Sequence, residues 1–310
     1  MPKKIVIDCD PGIDDALAIA LAHGNPDLDV VGLTTVAGNV GLAHTTNNAR
    51  CLSAFYGMDA PVAAGADRPL VREPVVAEQV HGGNGLGGVR LPAATSTASA
   101  GYAADFLVDA LAAAPGQIGL VAVGPLTNIA LAVRKEPRIV EWARELVIMG
   151  GSYTRGNRTP AAEFNVLADP EAAAIVFGAG WRPVMIGLDL TAQARAVAAV
   201  RERWRGLGRL EAELISPILD FYGSHPHYRD EGPAVHDACA VAYAIDPGLF
   251  RAVPARVDVE LHGRFTTGMT VTDFDAPAQR CNAEVATVLD TDRFWDLLQA
   301  AFSHVATRMS

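Results

Sequence analysis

The apolar positions fall into two patterns that alternate along the chain. Short runs such as Ile5-Val6-Ile7 read as buried strands, because β-branched residues pack well on a pleated surface. Longer helix-favouring stretches separate them. Strands are predicted over residues 5–7, 29–35, 61–64, 118–123, 145–149 and 183–188. Helices are predicted over 16–22, 42–56, 102–114, 126–135 and 170–177. Strand followed by helix, repeated, predicts an α/β fold. Its mainly parallel central sheet is flanked by helices on both faces. The last third predicts helices near 212–222 and 235–245. Strand-like segments follow near 257–261, 268–272 and 284–289, with a closing helix from Asp292. Residues 68–100, rich in Gly, Pro and Ser, form the longest predicted loop. No linker or repeat interrupts the pattern, so residues 1–310 are expected to form a single domain.

Polar residues gather where the apolar runs end. The first run leads into Asp8-Cys9-Asp10-Pro11-Gly12-Ile13-Asp14-Asp15-Ala16. Pro11-Gly12 reads as a turn, and Asp14 as an N-cap for the helix beyond it. Asp8 and Asp10 share a strand face, and Cys9 points to the other. Open α/β sheets bind ligands at the carboxyl ends of their strands. Four carboxylates this close repel one another unless positive charge joins them, and a hard divalent cation would do so. The plainer reading is an acidic turn with one capping Asp.

Other strand ends repeat the theme. Val36-Ala37-Gly38-Asn39 places an amide that either makes a turn or holds the first acid or a ligand. Val123-Gly124-Pro125-Leu126-Thr127-Asn128 reads first as a strand-to-helix turn capped by Thr127 or Asn128. Met149-Gly150-Gly151 is followed by a loop carrying Asn157, Glu163 and Asn165, whose amides and carboxylate suit the hydroxyls of a sugar. Taken alone, Met149 reads as core and Asn157 as a turn residue. Asp237 reads as a capping acid and His236 as a partly buried polar residue. The glycine-rich stretch from His81 to Gly88 lacks the strand, helix and Gly-Lys-Ser/Thr of a phosphate loop and reads as a loop closing over a site. The segment 222–232, with His225, His227 and Tyr228, is too polar and aromatic for a plain connector.

Composition narrows the partners. A net charge of −10 argues against nucleic acid, which needs a basic face. Half the residues are apolar, yet no run reaches the length of a membrane span. Only a three-residue apolar run precedes Asp8, too short for a secretory signal core. The four cysteines, Cys9, Cys51, Cys239 and Cys281, show no metal or redox spacing, which predicts free thiols in a cytoplasmic protein.

Together these motifs resemble the inosine-uridine nucleoside hydrolases. The acid cluster, Gly38-Asn39, Gly-Pro-Leu-Thr-Asn, Met-Gly-Gly, Glu163-Phe164-Asn165 and His236-Asp237 occur in order from about Lys4 to Leu298. The likeness is greatest to the non-specific ribonucleoside hydrolases of bacteria. It implies the Rossmann-like sheet of that family and hydrolysis of the N-glycosidic bond of ribonucleosides to ribose and free base. It implies one Ca²⁺ held by Asp10, Asp15, Asp237 and the Val123 carbonyl, with Asp10 also the general base. Asp14, Asn157, Glu163 and Asn165 would bind ribose, Asn39 would support the metal end, and His81 and Met149 would line the sugar pocket. His236 would face the base and act as acid or positioning group. A homodimer or homotetramer is implied as well. Two other readings stand beside it. One is a Mg²⁺-dependent phosphatase or phosphotransferase, suggested by Asp8-x-Asp10. The other is a nucleoside or ribose sensor without turnover.

Overall fold

In the computed structural model, residues 1–94, 99–225 and 232–309 are described. They form a ten-stranded sheet of β1 (Lys3–Cys9), β2 (Leu28–Thr35), β3 (Val62–Ala64), β4 (Ser99–Tyr102), β5 (Ile118–Ala122), β6 (Leu146–Met149), β7 (Val184–Ile186), β8 (Phe250–Val259), β9 (Thr270–Asp273) and β10 (Ala283–Leu289). The spatial order is β4-β3-β2-β1-β5-β6-β7-β10-β8-β9. Pairing is parallel from β4 through to β10, and antiparallel from β10 to β8 and from β8 to β9.

Alternation along β1 explains why both faces are covered. Ile5 and Ile7 belong to one core, with the helices Ile13–Gly24, Asp237–Ile245 and Thr291–Arg308. Val6, pointing the other way, belongs to a second core with Ala103–Ala113, Thr127–Lys135 and Pro170–Phe177. All three side chains are essentially inaccessible to water. A strand buried on both faces reads as an uninterrupted apolar run, as this one does.

The topology then locates the ligand site. From β1 the chain builds outward through β2, β3 and β4. It returns to the other side of β1 with β5 and continues outward through β6 and β7. β1 and β5 therefore flank the switch point of the sheet, and a crevice opens at their carboxyl ends. Asp10 follows β1 there, and Val123 follows β5.

Several elements differ from the sequence reading. β1 ends at Cys9, so Asp10 lies in the turn rather than on the strand. The first helix begins at Ile13 with Gly12 as N-cap, which puts Asp14 in the first turn, not at the cap. The turn Pro11-Gly12 is too short to delay the helix to Asp14. Asp15, at the third helical position, takes the capping role and accepts the Gly12 N–H at 2.9 Å. The helix after β5 has no side-chain cap; Thr127 and Asn128 bond elsewhere. β8 begins at Phe250, ahead of the predicted strand, because Pro254 disguises it. β9 covers β8 only from Arg256, so Pro254 sits where β8 is an edge and needs no second partner. Residues 99–102 pair with β3, and residues 78–81 form a short helix inside the long loop.

Candidate active site

Asp10 is built into the crevice by backbone and amide contacts. Its Oδ2 accepts the Asn39 N–H at 2.6 Å. The Asn39 side-chain amide donates to the Asp10 carbonyl and to Asp15 Oδ2, each at 3.1 Å. Asp15 Oδ1 in turn accepts the Asp10 N–H at 3.1 Å. Asn39 therefore holds two acids in register, and both its amide hydrogens are used. Two glycines flank the Asp10 carboxylate. A Cβ on Gly38 would stand 2.1 Å from Oδ2, and one on Gly124 would stand 2.6 Å from Oδ1. Neither φ is positive, so the demand is for space alone. Gly38→Ala is expected to cost about 1–3 kcal/mol by overpacking and to lower turnover with it. Denaturant unfolding and initial rates on the purified variant check this, and wild-type stability would contradict it.

The carboxyl oxygens of Asp14, Asp15 and Asp237 come within 4.8 Å of one another. This trio includes Asp14, whereas the ligand set inferred from resemblance has Asp10. All four acids are buried, and no Lys or Arg among the described residues pairs with them. Burial raises every one. Asp14 is pushed up to about 8 by burial and by Asp15, and Asp15 to about 6 mainly by burial. Asp10 rises well above the carboxylate range through burial and Asp15, and Asp237 through burial and Asp14. A hydrogen bond between the two carboxyls holds Asp15 down and pushes Asp237 further up. The Oδ1 of Asp10 is buried with no hydrogen-bond partner among the described residues. Oxygen donors, excess negative charge and an unsatisfied buried carboxylate oxygen together fit a hard divalent cation.

Above the acids lies a pocket of about 300 Å³, the lower end of the range for small-molecule sites. Asn165 forms one wall. Its amide nitrogen donates to the Val123 carbonyl at 3.0 Å and the Met149 carbonyl at 3.1 Å, which leaves its Oδ1 to accept. Asn157 is the converse. Its Oδ1 accepts the Phe164 N–H at 3.0 Å, which leaves its amide nitrogen to donate. Glu163 caps the helix Phe164–Ala168 and takes N–H groups from Gly151, Asn165 and Val166. About one lone-pair direction of its carboxylate stays available. These groups pair well with hydroxyls, which both donate and accept.

The histidines have fixed settings. His81 Nδ1 accepts the Ile13 N–H at 3.1 Å, so its proton is on Nε2. Burial and the nearby His236 push its pKa down to about 3. His81 is therefore a neutral hydrogen-bond donor at any ordinary pH. Its ring lies 5.8 Å from that of Tyr222. His236 Nδ1 is 2.8 Å from the Thr191 hydroxyl, which orients the ring at the pocket edge. His225 also lines the pocket, while His227 and Tyr228 lie outside the described residues.

The chain matches the model of the inosine-uridine preferring nucleoside hydrolases over residues 5–296. The chain belongs to this family. It is 48% identical to an inosine-uridine preferring nucleoside hydrolase of Leishmania major, covering 98% of this chain and 99% of the relative. It is 40% identical to the pyrimidine-specific ribonucleoside hydrolase RihB of Escherichia coli, covering 96% of each. Among solved structures, the purine-preferring ribonucleoside hydrolase from Gardnerella vaginalis superposes with a TM-score of 0.91. It is 31% identical and covers 99% of this chain and 100% of that one. This nucleoside hydrolase is thus a metal-dependent enzyme that cleaves the N-glycosidic bond of ribonucleosides. The phosphatase and sensor readings fall away with that membership. No helix among the described residues is long and apolar enough to cross a membrane.

The site residues inferred from the resemblance lie in or against this pocket of the nucleoside hydrolase. Asp14, Asn39, His81, Val123, Met149, Asn157, Glu163, Asn165, His236 and Asp237 line it, and Asp10 and Asp15 lie beneath. Sequence reasoning named Asp8, Thr127 and Asn128 but missed that they brace the layer below. Asp8 Oδ1 accepts from Thr34 and from the Asn128 amide, which also donates to the Thr35 carbonyl. Asp169 accepts from Thr127 and from the Leu70 and Ala172 N–H groups, tying the long loop to two helices. Part of the signal was present, since Asp8, Thr127 and Asn128 stand in the quoted motifs. What it lacked was any mark separating a brace from a ligand.

Proposed function

We propose that this nucleoside hydrolase binds one Ca²⁺ through Asp10, Asp15, Asp237 and the Val123 carbonyl. We propose further that Asp10 is its general base. The observation that carries the reading is a set of four buried carboxylates with no cationic side chain paired to them among the described residues, one of them with an unsatisfied oxygen. The Val123 carbonyl has one lone pair taken by Asn165 and a second to spare. When bound, the ion supplies the charge that keeps these acids ionised and draws a water and the ribose diol to the pocket floor.

The chain's own groups do the rest. Asp10 takes the proton of the attacking water, and its position is fixed by Asn39. Asn165 Oδ1 and Glu163 accept from ribose hydroxyls, while Asn157 and His81 donate. Positive charge gathering on the sugar in an oxocarbenium-like state is stabilised by the carboxylates around it, with Asp14 and Asp237 lining the pocket. His236, oriented by Thr191, assists the departing base. The substrates are purine and/or pyrimidine ribonucleosides. A homodimer or homotetramer in the cytoplasm completes the proposal. Exposed Phe265 and Val271 beside edge strand β9 supply apolar surface for self-association, and four free thiols suit a reducing compartment.

A reducing-sugar assay on a panel of ribonucleosides tests the proposal, with free base measured in parallel. Ribose release that disappears with chelator and returns with Ca²⁺ is the expected result. Substrates lacking the 2′-hydroxyl leave buried polar groups unpaired. They are expected to react at least about 10³-fold more slowly. Activity that survives chelation, or equal rates on deoxyribonucleosides, would overturn the metal or the ribose assignments respectively.

A further inference from the structure

His81 is carried by a segment that cannot hold its own shape. The helix Glu78–His81 is a single turn, too short to be stable by itself. The residues that follow, Gly82 to Gly88, include five glycines, four of them at positive φ. Ordering so much glycine removes a large backbone entropy, so contacts from outside must fix the segment.

Ahead of the ring the anchor is backbone. The His81 N–H bonds to the Ala77 carbonyl and the Ala77 N–H to the Asn39 carbonyl, each at 3.0 Å. Beyond the ring the loop is bonded chiefly to itself. The Gly82 N–H reaches the Glu78 carbonyl and the Gly87 N–H the His81 carbonyl, while the Asn84 side chain bonds to Leu86, Gly88 and Val89. Among the described residues, one hydrogen bond joins residues 82–89 to anything outside residues 78–89. Its donor is the Asn48 amide nitrogen, which reaches the Asn84 carbonyl at 2.8 Å and the Pro11 carbonyl at 3.0 Å.

Asn48 is buried on the helix Leu42–Tyr56 and does not line the pocket. Both its amide hydrogens are spent, one on the acid turn and one on the glycine loop. Gly85 leaves the room for this. A Cβ there would stand 2.9 Å from the Asn48 nitrogen and 3.1 Å from the Pro11 carbonyl oxygen. Leu86 packs into the core and Phe221 lies against Gly87, but apolar contact has no direction and does not fix a register. The amide does. It ties the loop to residue 11, and the His81 ring meets the same turn two residues on, at the Ile13 N–H.

We propose that Asn48 is a positioning residue for nucleoside hydrolysis. By clamping the Asn84 and Pro11 carbonyls with one amide, it holds the His81 ring so that its Nε2–H meets the substrate. This rests on the donor role given to His81 above. Asn39 holds Asp10 and Asp15 from one side of the turn, and Asn48 extends that frame to His81.

The test is a double-mutant cycle on the metal-loaded enzyme, with inosine and uridine as substrates. Asn48→Ala should lower kcat/KM at least about fivefold in the wild-type background, as expected for a lost buried hydrogen bond. In a His81→Ala background the same change should cost less than about twofold, because the ring it positions is gone. Amide-resolved hydrogen exchange gives a readout independent of turnover. Residues 82–89 and the Ile13 N–H should exchange faster in Asn48→Ala, while the Asp10 and Gly12 N–H groups, held by Asp15, keep their protection. Gly85→Ala disturbs the same contact from the loop side and carries the cycle if Asn48→Ala does not fold. Equal losses in both backgrounds, or unchanged exchange in the loop, would overturn the proposal. Faster exchange at Asp10 and Gly12 would also overturn it, because Asn48 would then act on the acids and not on His81. A wild-type enzyme that cleaves neither nucleoside would instead indict the parent reading.

Discussion

Asp10→Asn is expected to lower kcat by about 10²–10⁴-fold, the range for removing a positioned general base, while the protein stays folded and still binds nucleoside. The geometry makes the substitution unusually clean. An amide occupies the same volume between Gly38 and Gly124, and its carbonyl can accept the Asn39 N–H as Oδ2 does now. The amide nitrogen then takes the place of Oδ1, which has no partner to lose among the described residues. Removing one of four buried, mutually repelling carboxylates should also raise the melting temperature of the metal-free protein, because a buried ionisable group is replaced by a neutral one. Turnover, thermal unfolding without metal, and equilibrium binding of a nucleoside are the three measurements. A kcat within tenfold of wild type would remove Asp10 from the role of base. Loss of folding would show that its contacts are structural first.

The fold and most of the pocket were legible because strand ends in a parallel sheet are where apolar runs stop and polar residues begin. Ile5-Val6-Ile7 predicts a strand buried on both faces, and the two cores that receive alternate side chains explain why it does. The polar residues at the ends of β1, β2, β5 and β6 converge on one crevice because those strands lie at or beside the switch point. Three features escaped for identifiable reasons. Asp14 looked like a cap because a cap is recognised by residue type, whereas the helix start was set by Asp15 bonding back to Gly12. β8 was shortened in the reading by Pro254, which sequence patterns treat as a breaker without knowing which edge is open. The division of labour between Asn157 and Asn165, one left to donate and one to accept, depends on which backbone groups their amides meet. No spacing rule contains that information.

Stripping the metal is expected to make this protein most stable in mild acid and progressively less stable as pH rises. The acids beneath the pocket have folded-state pKa values above their values in the unfolded chain, with Asp15 at about 6 and Asp14 at about 8. The native state therefore binds more protons than the unfolded state across that interval, and unfolding free energy falls with increasing pH. The stability these groups contribute is complete below about pH 4, the ordinary carboxylate range, and is lost as pH passes through 6 to 8. Ca²⁺ reverses the slope, because it favours the ionised carboxylates and must displace their protons to bind. The chelated enzyme should thus melt lower at pH 8 than at pH 5, with no turnover at either. Saturating Ca²⁺ should raise the melting temperature more at pH 8 than at pH 5, and calorimetry in buffers of different ionisation enthalpy should detect protons released on binding. A metal-free melting temperature that climbs from pH 5 to pH 8 would mean that the acids are already balanced by charge within the protein. Binding of Ca²⁺ without proton release would place the ion away from Asp10, Asp15 and Asp237.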